Sequence, residues 1–364
     1  MQKLNYVDSL RGVAILMVML IHTSQKISGL PLGIESFSRY GQMGVQLFFV
    51  ISAYTLCLSA SRRKDEQHQL VNYFIRRYFR IAPLYYVGII IYIVIRFLQY
   101  KGNLPSYYTP LNIFANLTFI HGFYPTANNH IVPGGWSIGT EMTFYAIFPI
   151  LFNLLEKRSL RTAIKLFFLS VGFSFSIELL LVFFLHKSFV NNSFLYFNIV
   201  NQLPVFILGI LLFKLQEINF LDKWHIVFDY IFFLLFTALC LLLWHSHLPL
   251  VFFAIPILAG ISFIFLFNIF SKVERLNVKP LTKLGRVSFS AYILHFIFAY
   301  ILAEKVNRIV AGRMNSSLLL LLLFAFTVFG TFILASITER LVEKPGAKLG
   351  VKLINAFHNT PDKK

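Results

Sequence analysis

Charge is what this 364-residue chain most lacks: Asp, Glu, Lys and Arg make up only 13% of it, against 57% hydrophobic residues. A soluble globular chain carries about a quarter charged residues, so the composition excludes a soluble globular protein and points to a bilayer. Acids are scarcest, 15 against 33 Lys and Arg, for a formal net charge of +18. In a soluble chain that excess would suggest nucleic acid; here the basic residues sit in loops between apolar runs, where they mark the cytoplasmic side. No nucleic-acid partner is expected. Cysteine is nearly absent, and Cys57 and Cys240 both lie inside apolar runs, which excludes a disulfide framework or a cysteine metal site. No His-Glu-x-x-His or similar ligand pair occurs, so no metal is expected. There is no internal repeat, no low-complexity segment and no polar stretch of domain length. The N-terminus is basic then apolar but has no small-residue cleavage site, so it reads as an uncleaved first helix. The sequons Asn116-Leu117-Thr118 and Asn191-Asn192-Ser193 are too common a pattern to carry weight.

Apolar windows are what the chain has in abundance. A crossing needs about 20 mostly apolar residues, and such windows fall at roughly 10–28, 43–60, 82–99, 136–155, 165–186, 199–216, 227–244, 250–270, 287–303 and 317–338. The spacing predicts an all-α integral membrane protein of about ten transmembrane helices. With the N-terminus inside, most of the 33 Lys and Arg fall on the cytoplasmic side, among them Lys3, Arg62, Arg63, Lys64, Arg76, Lys157, Lys279, Arg286, Lys363 and Lys364. The positive-inside rule therefore predicts N-in and C-in. Leu111–Phe123 is apolar but too short to cross and is expected to form a re-entrant or surface helix. The Pro-, Asn- and Tyr-rich stretch 101–135 either roofs a polar site or is an ordinary outer loop. The tail after Pro345 reads as a basic, partly amphipathic surface helix.

Ionisable residues inside spans are costly, about 2.5 to 3.5 kcal/mol at the bilayer centre on the lowest scale, and so mark function. In the first span Arg11 and His22 are eleven residues apart and return to within about 20° of one direction, about 16 Å along the helix. Asp8, three residues before Arg11, shares that stripe. His22 is expected near mid-membrane, as a reactive imidazole or as a hydrogen-bonded packing partner. Arg76, Arg77 and Arg80 stand at the mouth of the third span. Arg77 and Arg80 neighbour each other on a helix and suit a phosphate, although arginines there also serve insertion and anionic lipid. Trp136-Ser137-Ile138-Gly139-Thr140-Glu141 opens the fourth span, placing a carboxylate in its outer half, and His295 lies about two turns into the ninth. Glu141 must face water or pair with a base; His295 is either part of a site or bonded to a neighbouring helix.

Together these residues resemble the acyltransferase-3 family of bacterial membrane O-acyltransferases. Asp8-Ser9-Leu10-Arg11-Gly12 with His22 is similar to its Arg, ten residues, His signature. Phe48-Phe49-Val50-Ile51-Ser52-Ala53 resembles its second-span motif, with Ala53 where Gly is usual. Arg77-Tyr78-Phe79-Arg80 followed by Pro83 resembles its Arg-x-x-Arg motif. The block from Trp136 to Glu141, with Phe144 and Tyr145 after it, is similar to Trp-Ser-Leu-x-x-Glu, with Met142 in place of a frequent second acid. Ser288 to His295 resembles Ser-Tyr-x-x-Tyr-x-x-His, and Glu343-Lys344-Pro345 the terminal Glu-x-Pro. Six motifs in order across residues 8 to 345 are specific where each alone is weak.

The resemblance implies one transmembrane acyltransferase domain over residues 1–345, a basic cytoplasmic tail over 346–364, and no appended soluble module. It implies a multi-pass protein of the bacterial cytoplasmic (inner) membrane. Acetyl-CoA or another acyl-CoA would be the donor from the cytoplasm, an extracytoplasmic carbohydrate such as O-antigen, capsule or exopolysaccharide the acceptor, membrane lipids the surroundings, and no cofactor would be permanently bound. His22 is the expected base, with the proton of the acceptor hydroxyl as its target, or else itself the acylated nucleophile. Arg77, Arg80 and Arg76 are expected at the phosphates of the donor, Asp8, Arg11 and Glu141 around the reacting centre, and Trp136, Ser137, Tyr145, His295 and Glu343 as binding or supporting residues. A transporter or flippase of a glycan or lipid-linked intermediate is the competing reading, since it would bury the same residue types, although the two similar halves common in transporters are absent. No His is followed five residues later by Asp, which sets aside the His-x4-Asp glycerolipid acyltransferases.

Overall fold

A computed structural model describes residues 4–156, 158–185, 193–244, 251–310 and 313–358. Lys3, Lys157, Lys363 and Lys364 of the charge pattern and Asn191-Asn192 of the second sequon lie outside these residues. Among the described residues the chain is helical and has no strand. In order the helices are α1 (Asn5–Ser24), α2 (Leu32–Tyr40), α3 (Gly44–Ser61), α4 (Gln69–Gln99), α5 (Pro110–Leu117), α6 (Gly135–Glu156), α7 (Leu160–Leu185) and α8 (Ser193–Phe197). There follow α9 (Ile199–Glu217), α10 (Ile226–Trp244), α11 (Val251–Lys272), α12 (Lys279–Arg286), α13 (Ser288–Phe296), α14 (Ala303–Val310), α15 (Ser316–Thr338) and α16 (Lys344–His358). Ten helical segments among the described residues are long and apolar enough to cross a membrane, and the chain is a multi-pass membrane protein.

Burial sorts these segments into a centre and a perimeter. The spans containing α9 and α11 are each 72% buried, whereas those of α10 and α7 are 11% and 22% buried and present Leu and Phe outward, as a lipid-facing surface requires. α1 is central and packs against α3, α12, α13 and α15. Its approach to α12 is set by glycine: a Cβ on Gly285 would strike the Asp8 carbonyl, and one on Gly12 the Leu281 carbonyl. That contact carries Arg286 to Asp8, Nε to Oδ2 3.2 Å.

Several helix limits differ from the expectation. α1 runs Asn5–Ser24 rather than 10–28, because the polar turn Asp8–Arg11 is itself helical while the Thr23 and Ser24 hydroxyls bond back to Met19 and Ile21 carbonyls, 2.8 Å each, where the apolar run stops. His22 therefore lies in the last turn of α1, about 26 Å from its start, not at its middle. α4 is one 31-residue helix that continues through Pro83, so the arginine cluster belongs to the spanning helix instead of preceding it. The stretch near 111–123 forms α5 and a 3₁₀ turn over Ile120–Phe123, with Asn112, Ala115 and Asn116 buried and Leu111, Phe114 and Phe123 exposed. α16 continues from α15 through a wide π-helical turn (Glu339–Glu343) and packs on α4 through Gly346 and Gly350, which meet Pro83 and Phe79. It exposes Leu349, Val351 and Phe357 beside Lys348 and Lys352, the pattern of a helix lying at an interface.

Candidate active site

At the end of the bundle where α1 begins, α1, α3, α4, α6 and α13 surround a cavity of about 400 Å³. Arg11, Arg62, Arg63, Arg77 and Arg80 line it, against two carboxylates, Asp8 and Glu141. The three-residue spacing puts Arg77 and Arg80 on one face of α4. Arg77 lies between the rings of Tyr73 and Tyr145, its guanidinium carbon 5.8 and 5.7 Å from the two centroids. Its Nε is buried without a hydrogen-bond partner. The structure separates Arg76 from its neighbours. It grips Glu66 with both Nη atoms at 2.7 and 2.8 Å, does not line the cavity, and holds the Glu66 carboxyl below the usual carboxylate range.

Glu141 reaches the cavity from α6 and is held by hydroxyls: Ser52 donates to Oε1 at 2.5 Å, and Tyr145, one turn on, donates to the same oxygen. Asp8 pairs with Arg11 at 3.7 Å as well as with Arg286. Glu343, in the turn after α15, accepts from the Ser290 hydroxyl at 2.9 Å and shares an adjoining cleft with Asp8, Arg11 and Arg80. Trp136 does not line the arginine-rich cavity; it stacks on Phe197 with centroids 4.5 Å apart and meets Phe49 and Tyr196 edge-on.

The inner end of the cavity is closed by Ser137 and Tyr292. Ser137 donates to the Tyr292 hydroxyl at 2.7 Å, and that hydroxyl donates to the Gly134 carbonyl at 3.1 Å. His121 Nε2, 2.9 Å from the Gly135 carbonyl, braces the same chain turn from the 101–135 stretch. Behind Tyr292 lies His295, whose ring lies tilted against that of Phe296 with centroids 4.0 Å apart and stands 5.3 Å from that of His22. The hydrogen bonds fix both tautomers. His295 Nδ1 is 2.7 Å from the Tyr292 carbonyl, an acceptor only, so Nδ1 carries the proton and Nε2, buried and unpartnered, is the basic nitrogen. The Tyr300 hydroxyl gives its proton to Gln25 Oε1 at 2.6 Å, so His22 Nδ1–H donates to that pair, at 2.9 Å to Tyr300 and 3.1 Å to Gln25. Nε2 of His22 is thereby left with its lone pair free. Beyond the rings of Phe296 and Tyr300 a second cavity, of about 440 Å³, opens at the opposite end of the bundle. Two imidazoles thus stand in an aromatic wall between two cavities.

The order of these elements along the chain has a precedent. The profile of the family described as "Acyltransferase domain" matches residues 4–337. The chain belongs to the acyltransferase-3 family. A relative within reach of comparison is the "O-acetyltransferase OatA" of Staphylococcus aureus (strain NCTC 8325 / PS 47), 25% identical over 390 aligned residues that cover 98% of this chain and 59% of the relative. Others are the "Peptidoglycan O-acetyltransferase OatA" of Listeria monocytogenes, 27% identical over 39% of this chain and 23% of the relative, and the "Acyltransferase MdmB" of Streptomyces mycarofaciens, 30% identical over 33% and 31%. The chain spans about three-fifths or less of the length of these curated relatives. No solved structure matches it.

Within this acyltransferase-3 frame the structure brings Asp8, Arg11, Arg77, Arg80, Ser137, Glu141 and Tyr145 to one cavity and sets His22 with His295 behind Tyr292, outside its lining, while Arg76 and Trp136 do not line it either. Sequence reasoning did not single out Ser52, Tyr292, Tyr300, Gln25, Arg62 or Arg63. Ser52 and Tyr292 stand inside quoted motifs and were legible as such. Tyr300 was not, because it sits in a π-helical stretch (Ile297–Leu302) whose wider turn defeats any count by 3.6 residues.

Proposed function

We propose that the chain is a membrane O-acyltransferase, moving an acyl group, most simply acetyl, from cytoplasmic acyl-CoA to a hydroxyl of a carbohydrate on the other side of the membrane. The observation that carries the reading is the path itself: five arginines around one cavity, an imidazole pair beyond it, and a second cavity on the other side of that pair. The arginines suit the phosphates of a CoA, Arg77 and Arg80 by paired hydrogen bonds from a planar fork, and the pantetheine arm would run from there toward Tyr292. The N-in orientation implied by the loop charges puts that cavity on the cytoplasmic side. The names of the Staphylococcus and Listeria relatives, O-acetyltransferase and peptidoglycan O-acetyltransferase, support an acetyl donor and a cell-envelope glycan acceptor.

In this reading the acceptor oxygen attacks the thioester carbonyl, the new C–O bond forms as C–S breaks, and the hydroxyl proton passes to Nε2 of His22. That proton then leaves with the thiolate as CoA thiol, and the imidazole returns to its starting tautomer. Gln25 and Tyr300 hold Nδ1 so that Nε2 stays the basic nitrogen. His295 presents a second neutral imidazole against the same ring, where it positions His22 and stabilises charge as the proton arrives. The test is to supply membranes containing the protein with labelled acetyl-CoA and follow the label. Label in a glycan, lost in the His22→Ala protein, is the expected result. A protein that moves glycan across the membrane and leaves it unlabelled would be a transporter, and the reading would fall.

A further inference from the structure

The second cavity carries a sign of charge that acyl transfer alone does not require. Its walls come from α4, the π-helical stretch, α14 and the end of α1, and four cations line it, Lys26, Arg96, Lys305 and Arg308, against one carboxylate, Glu304. Glu304 is shared by Lys26 at 3.2 Å and Arg308 at 2.6 Å. Arg96 and Lys305 have no carboxylate partner among the described residues; Arg96 donates to the neutral Gln99 amide, at 3.0 Å, and to the neutral Tyr108 hydroxyl. Tyr92, Tyr100 and Tyr300 supply aromatic surface, with Lys26 Nζ 4.6 Å from the centre of the Tyr300 ring. Phe296 and Tyr300, which close the cavity on one side, are the residues whose rings lie 4.5 and 5.4 Å from that of His22. Tyrosine faces beside hydrogen-bonding side chains suit a sugar ring, and an uncompensated guanidinium and ammonium suit an anion. The basic residues line a half-open cleft next to the imidazole pair, with Arg96 half-buried and Lys305 and Arg308 exposed at its mouth.

We infer that this cavity selects an anionic carbohydrate, one bearing a carboxylate or phosphate near the hydroxyl to be acylated, with Arg96 and Lys305 as the residues that read the charge. The inference rests on the acyl-transfer reading and narrows its acceptor. Purified protein in phosphatidylcholine nanodiscs is titrated with a tetrasaccharide of alternating glucuronate and N-acetylglucosamine, and with the same sugar after reduction of its carboxylates. The acidic form should bind about tenfold more tightly, the weight of one charge-assisted hydrogen bond. The preference should vanish in the Arg96→Gln/Lys305→Gln protein and return in Arg96→Lys/Lys305→Arg. Equal binding of the two sugars, binding of neither, or a preference that survives the double Gln substitution overturns the inference. Discs containing phosphatidylglycerol decide the source of the anion: a preference retained there supports the sugar, and one abolished there means the cavity takes a lipid headgroup, which also overturns it. Binding of labelled acetyl-CoA to the same samples is read separately. If donor binding and transfer hold while the preference is absent, only the acceptor inference fails; if donor binding fails, the acyl-transfer reading fails whatever the sugars do.

Discussion

The two cavities differ in how their cations are held. In the cavity near the start of α1, Arg77 lies between two tyrosine rings with a buried Nε unpartnered, and Glu141 is occupied by two hydroxyls instead of by a guanidinium. In the cavity at the other end, one carboxylate already binds two of the four cations. Guanidiniums kept apart from carboxylates inside a membrane protein are costly, and the cost is tolerated where a ligand supplies the missing charge. Both cavities keep such cations, Arg77 on one side and Arg96 with Lys305 on the other, and the difference lies in burial: Arg77 is clamped between rings, as suits the phosphates proposed for acyl-CoA, whereas Lys305 is exposed.

The sharpest way to break the contrast is to remove what stands between the cavities. His22→Ala should lower acyl transfer by about 100-fold to 10,000-fold, as loss of a general base does, with donor binding and protein level unchanged. A mild loss would make the imidazole a packing residue. Next in size, Arg77→Lys and Arg80→Lys should each weaken acyl-CoA binding by about tenfold or more, because the planar fork is lost while charge remains. Turnover at saturating donor should fall far less than in the His22 variant. Normal donor binding in both would assign these arginines to insertion or lipid.

A third change tests the scaffold of the arginine side alone. Gly285→Ala forces a methyl into the Asp8 carbonyl, so the α1–α12 contact must open at a cost of about 1 to 3 kcal/mol. The expected readout is a lower melting temperature in detergent together with loss of the Arg286–Asp8 pair. An unchanged melting temperature would mean that the two helices are not held so closely. Sidedness fixes which cavity meets the cytoplasm. Cysteines placed at Lys64 and Lys279 should react only with cytoplasmic reagent and one at Asn129 only with external reagent; the opposite result would exchange the donor and acceptor ends. The smallest effect is expected at Glu66. Its carboxyl is held below its usual range by Arg76, so the ion pair contributes above the ordinary carboxylate pKa and is lost as pH falls through the depressed value. Glu66→Gln should cost about 1 kcal/mol or less near neutrality and should flatten the acid limb of stability against pH. A loss of activity there would bring Arg76 back to the donor.

Much of the architecture was legible because long apolar runs and loop charge are averages over many residues, and the ten spans follow from them. Limits were less so. The Arg76–Arg80 cluster reads as the mouth of a span that begins near residue 82, yet α4 runs from Gln69 through Pro83, with α16 packed against it there through Gly346. At the site, Arg11, Arg77, Glu141 and His22 declared themselves by being ionisable where charge is expensive. Tyr145 stood out beside Glu141 in the fourth-span block, but Gln25 and Tyr300 around His22 did not, since they acquire meaning only from contacts between helices distant in sequence.

The π-helical stretch Ile297–Leu302 is one residue wider per turn than the α-helices on either side. An extra residue shifts every later side chain by about 100° around the axis, so His295 and Tyr300 are in different registers of what looks like one continuous span. When sequences of this kind are aligned, a single gap between positions 297 and 302 is therefore no neutral slip. A chain one residue shorter there would keep its histidine and turn away both the hydroxyl bonded to His22 Nδ1 and the cationic face of α14 behind it.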